Sequence, residues 1–506
     1  MKAGLKPAFV APVECFLLHS LGLLYTVMID MKRLVSLILA TVLSIPLSAQ
    51  IATPQTTPDP VVLTLDDALV IALSENIAVK VADKEITRAQ YALKGTYASL
   101  FPQVDGSGSY QRTIKKQVMY MDFDMSSMMG GGGASGEDGE SPTPAPSQGS
   151  GKPAGGGIEV GRWNTFSTGV QAAMPLVNAQ LWKSIKISGE DVELAVEKAR
   201  ASRLDMITQV KQAFYAVQLA KEAYKVYEEV YDNAVENFRQ TEMRYNVQKA
   251  SELDYTRAKT AVANAIPNLY DAENNITMTL WQLKAVMGID LDMDIDVAGE
   301  LQDNAVQMFR DIHENEEASL ENNSTMKQLE IQAEQLANAI KMQQYASLPT
   351  LSLAFAYSVN AMTNDFNFKE YRWSPYSYVG LSLSIPIFAG GRRLNSVRQS
   401  KVQYEELKLQ TLNTERQLKI AIRQCLNQME TSMKSYDAAK EAEAAARKAY
   451  GIATQSFNLG RSTLTDLNDA QLALTQAQLG VSQAVYSFVL AKASLEQTLG
   501  KDFSKE

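Results

Sequence analysis

The spacing of hydrophobic residues predicts that this chain is built on very long helices. From Leu418 onward, apolar residues recur at intervals of three and four, except where Ser432 and Glu443 break the pattern: Leu418, Ile422, Cys425, Met429, Tyr436, Ala439, Ala446, Tyr450, Ala453 and Phe457. This spacing is typical of a coiled-coil seam rather than of a helix that covers a compact core. No proline interrupts residues 394–459. We therefore expect one helix that is about 100 Å long at a rise of ~1.5 Å per residue.

The same order of elements is predicted twice along the chain: a helix, two strands, a long helix and a further helix. In the first copy these elements span residues 65–100, 104–110, 166–174, 179–245 and 251–287, with Pro267 as a predicted kink. In the second copy the first helix reaches Tyr345-Ala346-Ser347-Leu348, and the other elements span residues 351–359, 379–387, 394–459 and 463–499. Such a repeated unit is a stronger signal than any single motif.

Matching residues support the duplication. Pro102 and Pro349 are 247 residues apart, as are Tyr110 and Tyr357, whereas Gly169 and Gly380 are 211 apart. Asp254 and Asp466 are 212 apart, and Gly288 and Gly500 share that spacing. The spacing between matching residues therefore drops by about 36, and this drop falls within residues 113–160, which are rich in Met, Gly, Ser and Pro. We interpret this segment as a loop insertion in the first copy that forms no packed structure.

The N-terminal region has the pattern of a signal peptide. A short basic segment at Met31-Lys32-Arg33 precedes an apolar run from Leu34 to Leu47, and Leu47-Ser48-Ala49 supplies the small residues of a cleavage site. We therefore expect that the chain is exported and that Met31 is its true start. The alternative is a long leader. No later segment reaches 18 uncharged apolar residues, so we expect no transmembrane helix.

Composition excludes several functions. The net charge is −9 without a basic cluster, so we expect no nucleic-acid partner. After the leader, Cys425 is the one cysteine and His313 the one histidine of the sequence. We therefore expect neither a metal site nor a cofactor, and we expect that the protein is not an enzyme. Gly149-Ser-Gly-Lys152 resembles a phosphate loop, but Pro153 replaces the required Ser or Thr. Five methionines in residues 119–129 either bind a soft metal such as Cu(I) or belong to a surface loop.

The strand pairs alternate apolar residues with small or polar ones. Val379, Leu381, Leu383 and Ile385 face one way, and Gly380, Ser382 and Ser384 face the other. Aromatic residues gather near the strand ends, as in a membrane β-barrel; a hairpin with one buried face is the alternative. Because lipid tolerates no open sheet edge and four strands cannot close a barrel, several chains must share one barrel.

Four segments of the chain match a known protein family: Leu63-Thr-Leu-Asp-Asp-Ala-Leu69, Ser99-Leu-Phe-Pro102, Leu383-Ser-Ile-Pro-Ile-Phe-Ala-Gly-Gly391 and Phe457-Asn-Leu-Gly-Arg-Ser-Thr-Leu-Thr-Asp-Leu-Asn-Asp469. Through them the sequence resembles the TolC-like outer-membrane efflux proteins of Gram-negative bacteria, and the resemblance covers residues 63–500. It implies a homotrimer with a 12-stranded β-barrel in outer-membrane lipid, continued by a 12-helix α-barrel through the periplasm. The implied partners are a periplasmic adaptor protein and an inner-membrane transporter. Such a fold is mainly α with a membrane β-barrel.

This resemblance assigns a place to each part of the chain. Residues 1–49 are the upstream extension and signal peptide, 50–62 a leader, 63–288 the first repeat with an extracellular loop at 113–160, 289–320 an equatorial linker, 321–500 the second repeat and 501–506 a tail. The expected function is an exit duct of a tripartite efflux pump that passes small molecules such as drugs or toxic compounds. The alternatives are a duct for type I protein secretion and a trimeric coiled-coil spacer or adhesin without a passage.

Two helix–helix junctions are expected at the periplasmic tip. The family pattern places a pore constriction at Asp466 and Asp469, with Asp254 as the first-copy equivalent; the alternative is a solvated first turn of a helix. Adaptor contacts are expected at Asn246, Val247, Ser251, Asn458, Leu459, Gly460 and Thr463. Ser251 and Thr463 are predicted helix N-caps. Gln248 stands where the second copy has Gly460, so the geometry of the first turn is left open.

Overall fold

The computed structural model describes residues 61–119, 158–305, 308, 319–367 and 370–501. The predicted signal peptide, the Gly149–Lys152 motif, His313 and the methionine cluster beyond Met119 lie outside these residues. The helices are α1 Leu65–Glu75, α2 Ile77–Ala98, α3 Ala179–Asn246, α4 Glu252–Met287, α5 Ser324–Tyr345, α6 Arg392–Asn458 and α7 Leu464–Leu499. The strands are β1 Val61–Leu63, β2 Gln103–Arg112, β3 Gln117–Met119, β4 Ile158–Val160, β5 Asn164–Val177, β6 Ile295–Val297, β7 Thr350–Thr363 and β8 Ser374–Ser384.

Two uninterrupted helices dominate the chain, as the seam predicts. α3 has 68 residues and α6 has 67, so each is about 100 Å long at ~1.5 Å per residue. Along α6, the seam residues Ile422, Met429 and Phe457 are buried, and Ser432, which breaks the apolar pattern, is buried as well. Among the described residues, no helix combines the length and hydrophobicity that a membrane crossing needs.

The main sheet has the strand order β2-β5-β7-β8, with every neighbouring pair antiparallel. The pairing sorts side chains onto two faces, since successive residues of a strand point to opposite sides. One face carries Val104 and Tyr110 of β2, Phe166, Val170 and Met174 of β5, Leu353, Phe355 and Tyr357 of β7, and Val379, Leu381 and Leu383 of β8. The other face carries Ser107 and Ser109, Ser167, Gly169 and Gln171, Ser352, Ser358 and Asn360, and Gly380, Ser382 and Ser384. The sheet is therefore largely apolar on one side and largely small or polar on the other, where Tyr376, Tyr378 and Met362 are the large side chains.

The helices extend the order of the strands. Next to the sheet, α2 packs on α3, α3 on α5, and α5 on α6. Farther from it, α4 packs on α3, α3 on α7, and α7 on α6. The protomer therefore consists of four columns side by side. Two of them contain the uninterrupted helices α3 and α6, and the other two each contain a pair of shorter helices, α4 with α2 and α7 with α5.

An asparagine joins the two helices of each interrupted column. The Asn76 side chain accepts a hydrogen bond from the Ala78 N–H (2.7 Å) at the start of α2 and donates one to the Val286 carbonyl (2.7 Å) at the end of α4. Asn323, which lies 247 residues later, accepts from the Met326 N–H (2.9 Å) and donates to the Thr498 carbonyl (2.6 Å). One buried side chain therefore caps the beginning of one helix and the end of another.

Glycine makes these joints possible. Gly288 and Gly500 end α4 and α7 with φ of 76° and 69°, the left-handed conformation of a helix C-cap. A Cβ on Gly500 would lie 2.1 Å from the Asn322 carbonyl oxygen, and one on Gly288 would lie 3.1 Å from the Asn76 Cα. The columns close up at the joints because these two positions have no side chain.

The structure differs from several predicted boundaries. The helix predicted over residues 65–100 is two helices, because Asn76 ends α1 and caps α2. The last strand, predicted over 379–387, is Ser374–Ser384: Pro386 has no N–H to donate to a ladder, and among the described residues β8 has a neighbour on one side only. The predicted unstructured segment 113–160 has ordered ends, where β3 pairs with β4. In the leader and linker, β1 pairs in parallel with β6. Pro267 lies inside the continuous helix α4, and its kink stays a prediction.

Candidate functional site at the two helical turns

The turn between α3 and α4 has a non-glycine residue in the left-handed conformation. α3 ends at Asn246, Val247 follows as its C-cap, and Gln248 has a φ of +61°. The Lys249 N–H donates to the Arg244 carbonyl (2.7 Å) and the Gln248 N–H to the Tyr245 carbonyl (2.8 Å). This is the hydrogen-bond pattern of a Schellman helix end. Holding a non-glycine residue there costs roughly 1–2 kcal/mol.

The turn between α6 and α7 repeats this geometry with glycine. α6 ends at Asn458, Leu459 is the C-cap, and Gly460 has a φ of +69°. The Arg461 N–H donates to the Ser456 carbonyl (2.8 Å) and the Gly460 N–H to the Phe457 carbonyl (3.0 Å). Each of these residues lies 212 positions after its first-copy counterpart. The replacement of glycine by Gln248 therefore leaves the shape of the turn unchanged.

Both turns end in a hydroxyl N-cap, as predicted. The Ser251 hydroxyl oxygen accepts from the Asp254 N–H (3.0 Å), and that of Thr463 accepts from the Asp466 N–H (3.2 Å). Each hydroxyl also donates to the carboxylate of the same aspartate, at 2.7 Å in both turns. At Thr463 the backbone N–H donates to that carboxylate too (2.9 Å), which completes a capping box.

These bonds give the predicted constriction residues different surroundings. The Asp466 carboxylate is exposed, and its hydrogen bonds from the Thr463 hydroxyl and backbone N–H lower its pKa from the ordinary value. It therefore carries its charge to a lower pH than a free aspartate. Asp469 is exposed one turn farther along α7, and Asp254 is half-buried. In the first copy, Arg257 occupies the position of Asp469.

An arginine connects the two turns. Arg244, in the last turn of α3, donates through Nη1 to the Phe457 carbonyl (2.8 Å) and through Nη2 to the Asn458 carbonyl (2.9 Å). Its guanidinium carbon also lies 4.9 Å from the centre of the Phe457 ring. The arginine thus places a positive charge at the carboxyl end of α6, where the helix dipole favours a cation. Below it, Phe457, Leu464 and Leu467 form a small buried core with Ala258.

The predicted adaptor-contact residues fall into two groups. Val247, Asn458, Leu459 and Gly460 line one open groove of about 940 Å³, together with Arg239, Gln240, Met243, Arg244 and Lys249. Val247 and Leu459 expose 62% and 69% of their surface there, so the groove has an apolar rim. Ser251, Thr463 and the three aspartates do not line this groove. Asn246 lies at the end of α3, next to the groove.

Arg244 and Gln248 are the two residues of the site whose roles the sequence did not reveal. Arg244 acts on a segment 213 residues away, and no local pattern encodes that contact. The signal for Gln248 was its alignment with Gly460, because a duplicated chain retains the backbone of a turn more readily than its residues.

Comparisons with known proteins agree with this architecture. Residues 68–289 and 317–501 match the family model of the outer membrane efflux proteins. The outer membrane protein TolC of Vibrio cholerae is 21% identical over 66% of this chain and 76% of its own length. The cobalt-zinc-cadmium resistance protein CzcC of Cupriavidus metallidurans is 25% identical over 68% of this chain and 79% of its own.

A solved structure shares the fold. The outer membrane channel CmeC of Campylobacter jejuni superposes with a TM-score of 0.62 at 18% identity, covering 86% of this chain and 85% of that one. The family model matches most of the chain, including both helical turns. This chain therefore belongs to the outer membrane efflux protein family, whose members reside in the outer membrane as channels.

Proposed function

We propose that the protein is an exit duct of a tripartite efflux pump, built as a homotrimer. Three copies of the four-stranded sheet make a 12-stranded barrel in the outer membrane, and three copies of the four helical columns make a 12-helix tube in the periplasm. The proposed cargo is small toxic compounds, delivered by an inner-membrane transporter through a periplasmic adaptor. The duct opens a path and catalyses no reaction.

The observation that carries this proposal is the separation of the two faces of the sheet. On the apolar face, Val379, Leu381 and Leu383 are 71%, 67% and 61% exposed in the single chain. Apolar side chains exposed along a whole sheet face are unfavourable in water, and hydrocarbon is the solvent that suits them. The opposite face, with its serines and glycines, suits a water-filled passage. A coiled-coil spacer without a passage has no use for two such faces.

The helical turns are the proposed narrow end of the duct. Around a threefold axis, Asp466 and Asp469 of three copies make two rings of carboxylates, with Asp254 as a third and weaker contribution. Carboxylate rings favour cations and bind multivalent ones. We propose the groove lined by Val247, Asn458, Leu459 and Gly460 as the adaptor contact, with Asn246, Ser251 and Thr463 at its margin.

The experiment that tests the proposal compares the two sheet faces in a strain that lacks its own copy of the gene. Leu381→Asp places a charge in lipid, which at the bilayer midplane costs somewhat less than the ~2–4 kcal/mol of an Arg or Lys there. We expect it to abolish SDS-resistant trimers and the efflux of a fluorescent dye. The control Ser382→Asp lies on the adjacent residue of the same strand, faces the passage and should keep both. Equal loss in the two variants, or a wild-type protein that forms no conducting pore in planar bilayers, would contradict the proposal.

A further inference from the structure

The sheet has two free edges. Within the described residues, β2 pairs only with β5, and β8 pairs only with β7. Both edge strands are shorter than the inner strands to which the duplication relates them: β2 has 10 residues against 14 in β7, and β8 has 11 against 14 in β5. An edge strand presents unpaired backbone N–H and C=O groups. A second strand on each edge would satisfy these groups.

The internal duplication determines strand register, and the structure contains a check of this. In the second copy, Leu353 of β7 pairs with Leu381 of β8. The residues 247 before Leu353 and 211 before Leu381 are Gly106 and Val170, and these two pair in the first copy. The relation holds for the ends of the ladder as well, since Thr350 with Ser384 corresponds to Gln103 with Ala173. The two spacings therefore convert an observed strand pairing into its repeat equivalent.

The junction between the two copies, β5 with β7, has no repeat equivalent within one chain. We infer that its equivalent is the contact between subunits, in which β8 pairs with β2 of the partner subunit. Val170 pairs with Tyr357 in the chain, so the same spacings place Leu381 opposite Tyr110 of the partner subunit. Likewise, Gln171 with Ala356 gives Ser382 opposite Ser109 of the partner subunit. This inference rests on the proposed trimer and adds the register and the residues of its contact.

Side-chain size is compatible with this register. It sets Leu383 opposite Gly108 of the partner subunit, so that a large residue faces a position without a side chain. In the single chain, a Cβ added to Gly108 or Gly106 would meet no atom within 4 Å. Apolar residues also stay on the apolar face. A shift by one residue would set Leu381 opposite Ser109 or Gln111 and mix the two faces of the barrel.

The helices next to the sheet support the same contact. Within the chain, Glu190 of α3 accepts a hydrogen bond from Asn338 of α5, and both side chains are buried. When the 212-residue spacing of the α3 and α6 ends is carried back along these helices, the repeat equivalent of Glu190 is Val402 of α6; that of Asn338, 247 residues earlier, is Tyr91 of α2. Val402 and Tyr91 are 53% and 66% exposed in the single chain. The subunit contact thus sets an aliphatic and an aromatic residue where the internal contact has a polar pair.

The test is disulfide cross-linking of full-length protein in membranes, in a Cys425→Ser background. Two cysteine pairs follow the inferred register: Leu381→Cys with Tyr110→Cys, and Ser382→Cys with Ser109→Cys. Successive opposed pairs alternate between hydrogen-bonded and non-hydrogen-bonded sites, so one of the two has the closer Cβ atoms. The matched controls are displaced by two residues on the same face: Leu381→Cys with Gly108→Cys, and Ser382→Cys with Ser107→Cys.

We expect oxidation to link the pairs in register into covalent trimers about tenfold faster than the displaced pairs, because Cβ separations rise from about 5 Å to about 7–8 Å. Val170→Cys with Tyr357→Cys is the reference, since it has the inferred geometry within one chain. Faster linkage of the displaced pairs in a protein that is still trimeric would overturn the register and leave the proposed duct intact. Linkage of the reference pair alone would overturn the β8–β2 contact. A monomer by mass photometry would overturn the proposed function itself.

Discussion

The two helical turns at the tip have one backbone and opposite chemistry. Gln248 and Gly460 take the same left-handed conformation, and Ser251 and Thr463 cap the next helix through the same bonds. In the first copy, however, Asp254 is followed three residues later by Arg257, whereas Asp466 is followed by Asp469. At these two positions the first copy is therefore neutral, whereas the second carries two negative charges. Hydrogen bonds between backbone and cap determine the shape of such a turn, and its exposed positions are free to carry different functions.

The largest expected effect comes from removing the charges that distinguish the turns. We expect Asp466→Asn combined with Asp469→Asn to abolish block by multivalent cations added to the tip side of a planar bilayer, and to weaken cation selectivity. Asp254→Asn should have a much smaller effect, because Arg257 already neutralises the first turn. Single-channel recordings provide the measurement. Unchanged block in the double variant would return both aspartates to the role of a solvated helix start.

The next effect concerns Arg244, which has no counterpart in the second copy. Arg244→Ala removes two charge-assisted hydrogen bonds to the end of α6, and each such bond contributes about 1.5–3 kcal/mol when well formed. We expect faster hydrogen exchange in residues 450–460 and a local loss of stability of about 2 kcal/mol, since the site is partly exposed. Arg461→Ala is the control at the tip. Equal hydrogen-exchange rates in the two variants would show that the Arg244 hydrogen bonds do not stabilise the end of α6.

A reciprocal exchange tests whether the shared backbone is strained in the first turn only. Gln248→Gly should stabilise the tip by about 1 kcal/mol, because glycine takes a positive φ at little cost. Gly460→Gln should destabilise it by a similar amount, since a Cβ there meets no neighbour and only the backbone conformation matters. Denaturant unfolding of both variants measures the difference. Changes of the same sign would exclude backbone strain as the cause.

The smallest effect concerns the caps. Ser251→Ala and Thr463→Ala should each cost about 1 kcal/mol. The effect of Thr463→Ala should depend on pH, because the Thr463 hydroxyl and N–H lower the pKa of Asp466. That contribution is present above the ordinary aspartate pKa of about 3.9 and is lost as the pH falls through the lowered value. The difference in melting temperature between wild type and Thr463→Ala should therefore shrink at acid pH. A difference that stays constant with pH would contradict the link between the Thr463 cap and the Asp466 carboxylate.

The sequence predicted what repeats locally and missed what connects distant segments. The seam residues Ile422 and Met429 predicted the long helix, because their spacing is a property of one helix. The break at Asn76 was missed, since an asparagine within an apolar period becomes a joint only through its contact with Val286, 210 residues away. β8 was misplaced at its end because Pro386 and a free edge limit its pairing in the single chain. The contact of Arg244 with the end of α6 was missed for the same reason, because the two segments are far apart in the sequence and no local pattern encodes their contact.

The joints at Asn76 and Asn323 have a mechanical consequence for each protomer. α3 and α6 transmit axial load through unbroken backbone, like solid rods. The other two columns are each interrupted between two helices, and the hydrogen bonds of Asn76 or Asn323 hold the two helices together at the joint. A sideways force on the tip ends of α4 and α7 therefore rotates these helices about the joints at Asn76 and Asn323, whereas α3 and α6 must bend along their length. In the proposed trimer, continuous helical columns therefore alternate with jointed ones around the wall of the tube.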